Sequence, residues 1–367
     1  MDVLRLLPLI AKHRLGFALG GRVPMPLNVT ISVTFRCPSR CLTCNVTSRK
    51  VEELTPEEYR RIFRSMGRNV YWVTISGGEP FLRPDLPEIV DAICEESAPG
   101  IINIPTSGTT HAHIYKFLPG ILEKTKGSQL TLNFSLDEIG ERHDQIRRTP
   151  KNWEKTLESL RFARSLQAKY PHLTVGIHTV ISTYNVDRLP IIYEELQNLA
   201  PDSYITEIAE EREELRTMAS GITPSPGKYA EAVDFVVDRI RSRPHKGFAS
   251  IIQQFRLEYY RMVKKTLVEK RQVIPCYAGA ASCHIAADGD VWGCCVRAEN
   301  LGNLRDQDYD FAGIWNSPAA QKLRKSVKQK ECHCPLANAS YTNMLMDPVT
   351  LARIGRNLFL PGKARQK

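Results

Sequence analysis

Between Leu27 and Glu211 the chain repeats one unit, a short β-branched run followed by a stretch with helical spacing of apolar residues. Six runs do this: 28–35 (NVTISVTF), 70–76 (VYWVTIS), 100–107 (GIINIPTS), 129–136 (QLTLNFSL), 173–182 (LTVGIHTVIS) and 203–209 (SYITEIA). Alternation of this kind lays helices over a parallel sheet, because right-handed crossovers return each strand beside the last. The largely apolar runs predict strands buried on both faces. Six units fall short of a closed eight-stranded barrel, so the expected fold class is α/β, a partial (βα)6 TIM-like barrel of parallel strands. Ligands of such folds gather at the C-terminal ends of the strands.

The helices carry their own start signals. Thr55, Pro56 and Glu58 form a capping box with proline at the first position, ahead of an apolar face of Tyr59, Ile62, Phe63 and Met66. Asp187 is the expected cap of a helix bearing Leu189, Ile192, Tyr193, Leu196 and Leu199, which leaves Pro190 in the first turn. After Leu215 the pattern changes. A turn at 222–227 (ITPSPG) leads into charged helices over 228–271. A cysteine-rich region then carries a hairpin, 283–295, turning at Asp288–Gly289. The expected organisation is an N-terminal amphipathic segment (1–24), the barrel (25–215), a helical connector (216–272), a small C-terminal cysteine-rich domain (273–345) and a basic tail (346–367).

The chain has 367 residues, enough for a full core, and 25% are charged, as in ordinary globular proteins. No long uncharged apolar run and no secretory pattern occur, which predicts a cytoplasmic protein. Ten cysteines, tightly clustered in a chain this long, point to metal or redox use in a reducing compartment. Cys94 stands alone in an apolar helical pattern and is expected to be a core thiol. The net charge of +10 suits an acidic electron donor, a phosphorylated substrate or an anionic surface. No nucleic-acid motif accompanies it. The apolar stretches at 3–19 and 351–360 are mixed with Arg and Lys. One reading lays them on a membrane surface, beside a lipid-linked substrate; the favoured one packs them on the barrel.

Three cysteines, Cys37, Cys41 and Cys44, follow directly on the first strand run. Both a four-iron cluster and a structural zinc take four ligands, so three thiolates leave one place open, and on the cysteines alone zinc with a distant ligand stays an alternative. The next strands run into Gly77-Gly78-Glu79-Pro80, into Thr106-Ser107-Gly108 and into Ser135-Leu136-Asp137-Glu138. Polar or glycine-bearing groups thus sit at four successive strand ends.

On these residues the sequence resembles the radical S-adenosylmethionine (radical SAM) superfamily over about residues 25–215. The resemblance implies a [4Fe–4S] cluster on Cys37, Cys41 and Cys44, with S-adenosylmethionine on the open iron. It implies methionine-side contacts from Gly77, Gly78, Glu79 and Pro80, with Glu79 accepting from the ligand ammonium. Ser135 and Asp137 are candidates for the ribose and carboxylate ends, Thr106 and Ser107 for the same ligand, and Arg147 for a position facing the site. The family's aromatic residue before the third cysteine is replaced by Thr43, so no adenine-stacking residue is assigned.

Cys276, a glycine-turned hairpin, Cys294, and the later Cys332 and Cys334 resemble the twitch or SPASM-like auxiliary domain. The resemblance makes the C-terminal region an iron–sulfur domain with a second, auxiliary [4Fe–4S] cluster on those four cysteines. Cys295 and Cys283 are spare thiols, Cys295 being the first substitute; a structural zinc held by the same residues is the alternative. His284 and His333 are expected beside the ligands rather than among them. One auxiliary cluster resembles the arrangement in dehydrogenases that oxidise a secondary alcohol. The expected function is therefore an oxidoreductase acting on a small-molecule, sugar-like alcohol, with flavodoxin or ferredoxin as electron donor and the general base unassigned. Peptide maturation is the second reading, set back by the few residues ahead of the barrel. Adenosyl-radical chemistry on a lipid-linked substrate and a non-catalytic iron–sulfur or zinc scaffold are the others.

Overall fold

The computed structural model describes residues 3–19, 22–243 and 247–359. Six strands follow the six expected runs: β1 (Asn28–Ser32), β2 (Trp72–Ser76), β3 (Ile101–Thr106), β4 (Gln129–Ser135), β5 (Leu173–Ile181) and β6 (Ser203–Ile208). Each pairs in parallel with the next, with helices in the crossovers, so the sheet is the open partial barrel that the alternation predicts. The free edge of β1 then pairs in parallel with β7 (Ser282–Ile285), and β8 (Asp290–Trp292) and β9 (Asn300–Asn303) continue antiparallel. The predicted hairpin turns where expected, with Gly289 at φ +92. It is not a module hung beside the barrel: it extends the same nine-stranded sheet.

The two faces differ in polarity more than in burial: in β1, Asn28 and Ser32 on one face are as fully buried as Val29 and Ile31 on the other, as expected of strands covered on both sides. In β4, Leu130, Leu132 and Phe134 are fully buried in the main core, each worth about 1.5–3 kcal/mol relative to exposure. Gln129, Thr131, Asn133 and Ser135 alternate with them on the other face, where the Asn133 amide donates to Asn103 Oδ1 at 2.7 Å. The helix layer needs one apolar face. The other lines the inside of an unclosed barrel, and there polar side chains stay usable.

The helix Pro56–Met66 starts with the predicted capping box and buries Tyr59, Ile62, Phe63 and Met66. Asp187, the expected cap further on, instead lies in a short 3-10 turn and pairs with Lys228. The following helix, Leu189–Gln197, ends before Leu199, and Arg188 precedes it without a side-chain cap. In the helix Val3–Leu19, Leu9, Ile10 and His13 are buried, and Leu9 and Ile10 share a core cluster with Leu27, Tyr71, Tyr277 and Met346. Leu7, Leu15 and Leu19 stay exposed. Ile354 is likewise buried in the helix Pro348–Phe359, while the rest of the basic tail, 360–367, lies outside the described residues, as do 1–2 and 20–21 of the N-terminal segment. No helix among the described residues is long and apolar enough to cross a membrane. The helix Phe248–Glu269 ties β6 to the C-terminal region: Tyr260 Oη meets Thr206 Oγ1 at 2.8 Å, and Tyr259 Oη donates to the Pro335 carbonyl at 3.2 Å.

Candidate active site

The Cys37–Cys44 loop leaves the C-terminal end of β1 and is fastened from outside. The Arg40 and Leu42 amides donate to the carbonyls of Arg147 and Ile146, at 3.2 and 2.9 Å, at the end of the helix Gly140–Arg147. Arg147 is half-buried and forks: Nη2 meets Asp137 Oδ2 at 2.8 Å and Nη1 reaches Cys41 Sγ at 3.7 Å. Burial opposes its charge, but Asp137, Cys41 and Cys37 more than compensate and keep it a cation. Asp137 is itself placed by the Val180 amide, which donates to Oδ1 at 2.9 Å. Its own amide donates to His143 Nδ1 at 3.2 Å. His143 is buried and pulled down to about 4, by burial first and by Arg147 second, so it stays neutral.

The three thiols share one electrostatic environment. Burial, then Glu79, pushes Cys37 up to about 12, with Cys41 and Cys44 adding to it. Burial pushes Cys44 to about 11, with Cys41 and Glu214 adding. Such thiols give up their protons to a cationic metal centre and to little else, which is the chemistry a three-thiolate iron site asks for.

Chain packing by itself requires Gly77 and Gly78. A Cβ on Gly77 would lie 2.2 Å from the Thr34 carbonyl oxygen, and one on Gly78 would lie 2.1 Å from that of Arg36. The Gly78 and Glu79 amides donate to those same two oxygens at 2.7 and 2.9 Å. The loop after β2 therefore lies directly on the chain entering the cysteine loop. Glu79 is fully buried and its carboxylate is taken up by protein donors: Thr106 Oγ1 at 2.8 Å, the Ser107 amide and hydroxyl at 2.7 Å each, and the Phe81 amide at 3.2 Å. Burial raises it despite those bonds. Glu79, Thr106 and Ser107 thus form one knot joining the ends of β2 and β3. Pro80 opens the short turn that follows, and Ser135 ends β4, half-buried, on the polar face.

The second set separates into a quartet and two outsiders. Burial raises Cys276, to about 12, with Cys294 and Cys332 adding to it. Burial also raises Cys334, with Cys276 and Cys294 among its neighbours. Cys283 is buried in β7 and feels burial alone, as a core thiol does. Cys295 turns away toward Glu214 and Arg212, with Arg212 Nη1 3.8 Å from its sulfur. Cys94, also set apart, is packed against the main core. His284 stands on the polar face of β7 with Nε2 2.9 Å from Ser32 Oγ. His333 sits between Cys332 and Cys334 in chain order.

A segment that the sequence did not single out joins the two sets. Beyond β6, residues 210–217 form a strap. The Asn45 amide donates to the Leu215 carbonyl at 2.9 Å and Arg49 Nη2 to that of Glu213 at 2.8 Å, on the radical side. The Glu213 and Glu214 amides donate to the carbonyls of Val296 and Cys295, both at 3.2 Å, on the auxiliary side. The strap's own Glu210 and Arg212 lie near His178 and Glu207 of β5 and β6: His178 Nε2 is 3.7 Å from Glu207 Oε1, and Arg212 reaches Glu207 and Glu214 at 4.0 and 3.7 Å. The run of acidic residues after the sixth strand (EIAEEREEL) was the available signal.

A parallel partial barrel with a three-cysteine loop after its first strand and a strapped cysteine quartet beyond its sixth defines a class of iron–sulfur protein. Residues 31–196 match the radical SAM superfamily and residues 276–335 match the SPASM iron–sulfur cluster-binding domain. The chain is a radical SAM protein with a C-terminal SPASM domain, and its cofactors are S-adenosylmethionine and [4Fe–4S] clusters, the auxiliary kind included. It is similar to the AdoMet-dependent heme synthase of Methanosarcina barkeri, 26% identical over 329 residues, covering 83% of this chain and 86% of that one. It is similar to the antilisterial bacteriocin subtilosin biosynthesis protein AlbA of Bacillus subtilis, 21% identical, covering 85% and 64%. In fold it is similar to Streptococcus suis SuiB bound to S-adenosylmethionine, with a TM-score of 0.61 at 17% identity over 86% and 71% of the two chains.

Proposed function

We propose that Cys37, Cys41 and Cys44 hold the S-adenosylmethionine-binding cluster, that Cys276, Cys294, Cys332 and Cys334 hold the auxiliary cluster, and that an organic substrate is oxidised in the polar interior between them. The observation that carries this reading is the strap. One segment is bonded to both cysteine loops and brings Glu207, Glu210, Arg212 and Glu214 to the end of the barrel where the ligands of such folds gather. When bound, the cofactors supply hydrogen-atom abstraction and an electron acceptor.

The chain's own residues then have distinct tasks. Gly77, Gly78 and Pro80 lay the loop after β2 on the cysteine loop. Glu79, with Thr106 and Ser107, locks that loop. Asp137 and Arg147 hold Cys41 and close the site toward the ligand, with Ser135 beside them. A two-electron oxidation of an alcohol also releases a proton from oxygen. Glu210 in its ionised form is the acceptor: it is buried, one carboxylate oxygen lacks a hydrogen-bond partner, and burial raises it to about 8 against the pull of Arg212, so it can take up a proton only as pH rises toward that value. The polar lining favours a polar small molecule such as a sugar-like alcohol. Peptide oxidation is the second reading, favoured by SuiB having been seen with its precursor peptide SuiA and by AlbA's part in bacteriocin biosynthesis.

The test is anaerobic incubation of reconstituted protein with S-adenosylmethionine and dithionite, followed by mass spectrometry of candidate alcohols and peptides. The expected result is 5′-deoxyadenosine plus a product two hydrogens lighter than its substrate. A product heavier by the adenosyl group overturns the oxidative assignment, and absence of 5′-deoxyadenosine in cluster-replete protein overturns the enzyme.

A further inference from the structure

One buried constellation is not used by either cysteine set. Glu214 on the strap, His284 on β7 and Cys295 after β8 bring a carboxylate oxygen, an imidazole nitrogen and a sulfur within 4.8 Å of one another. The spacing is that of donors around a single ion rather than around a four-iron cluster. Donors on a tetrahedral zinc lie about 3.5 Å apart, given bond lengths of about 2.0–2.3 Å. The Glu214 Oε1 and His284 Nδ1 pair already stands at 3.8 Å.

The imidazole is prepared for coordination. Nε2 meets Ser32 Oγ at 2.9 Å, and in the tautomer that places the proton on Nε2 a lone pair is left on Nδ1. That nitrogen is buried and has no hydrogen-bond partner, and the residue is only 2% exposed. Trp292 stacks on the ring, with centroids 5.0 Å apart, and fixes its plane. Fixing one ring nitrogen and leaving the other to the metal is how protein imidazoles are oriented as ligands. Arg212 stands behind the other two donors, 3.7 Å from Glu214 Oε2 and 3.8 Å from Cys295 Sγ. It leaves Glu214 Oε1 facing the histidine. Two anionic ligands neutralise a divalent ion, and Glu207, 4.0 Å from Arg212, shares the remaining positive charge.

We propose that Glu214, His284 and Cys295 bind one divalent, thiophilic cation of the zinc class, as a mononuclear site separate from both clusters. One sulfur, one nitrogen and one oxygen ligand leave a fourth position for water or a substrate donor, as open zinc sites do. The site lies on the strap that links the two cysteine loops, so its cation borders the same interior as the oxidised substrate.

The test uses reconstituted holoprotein. It is loaded with zinc(II), desalted anaerobically, and measured for zinc and iron together with the zinc-edge X-ray absorption spectrum. One zinc per chain is expected, with a single sulfur in its shell and lighter atoms in the rest. Cys295→Ser and His284→Gln are each expected to weaken zinc binding at least about tenfold while iron content is retained. Equal zinc uptake by wild type and the double variant overturns the proposal. So does a zinc shell with several sulfurs, and so does loss of iron in Cys295→Ser, which would make Cys295 an auxiliary-cluster ligand. The wild-type spectrum decides the matter even if a variant fails to fold. Neither readout depends on turnover, so failure of the oxidative reading would leave the result intact.

Discussion

At Gly78, chemistry and packing are hard to separate from the sequence alone. The Gly-Gly-Glu-Pro stretch stands at the end of the second strand, and the neighbouring backbone alone already demands its glycines. The contact that excludes a side chain, the Arg36 carbonyl, is distant in sequence and set by register. Gly78→Ala is expected to cost about 1–3 kcal/mol through forced displacement of the cysteine loop. Thermal melting should show the loss, and reconstituted iron should fall at the radical site alone. Glu210 makes the opposite case, a residue that sequence reading passed over. Folding lifts it from its ordinary 4.5 to about 8, so between those values the native state holds a proton that the unfolded chain has lost. Native stability is therefore drained as pH rises through that window, and Glu210→Gln should flatten the slope. Denaturant titrations of both proteins between pH 5 and 8 check this, a range set by the shift itself; parallel slopes would contradict it.

Elements were more legible than sites. All six parallel strands and the capping box at Thr55 follow from local pattern, because β-branched runs and an N-cap are decided within a few residues. The polar face of β4 was in plain alternation, yet the apolar residues masked it when the run was scored as a whole. The parallel pairing of β7 with β1 joins residues some 250 positions apart, and no local pattern encodes it. Helix Pro56–Met66 also carries a long-range duty. Its capping residue Glu58 accepts from Arg305 Nε at 2.7 Å and from Tyr309 Oη at 2.8 Å, so the cap is also a clasp on the segment after β9. Burial alone would raise Glu58, but Arg305, the Thr55 amide and Tyr309 hold it down to about 2. Its contribution is complete above 4.5 and is lost as pH falls toward about 2. Glu58→Gln should lower stability by about 1–3 kcal/mol at neutral pH and by nearly nothing in strong acid. Unfolding curves at the two pH values measure the difference.

For the whole molecule, charge has a place as well as a sum. The net charge of +10 is matched by an open basin of about 490 Å³ beside Cys37, where Arg36, Arg40, Arg49 and Lys50 stand against Glu53. An acidic flavodoxin or ferredoxin would be drawn to that rim, and the attraction would weaken with salt. Lys50→Glu is expected to slow reduction by such a donor about tenfold at low ionic strength, a gap that narrows as salt is added. The rate with dithionite serves as the control. Stopped-flow reduction at several salt concentrations reads both, and an equal loss with either reductant would point to damage rather than docking.

The stitching of β7 onto β1 has a consequence for how such a chain is divided. A cut ahead of Cys276 would strip β1 of its neighbour and leave a bare row of amides and carbonyls in mid-sheet, ready to capture the same row on another copy. The two iron-bearing halves therefore behave as a single garment with a shared seam: tailoring one means resewing the other.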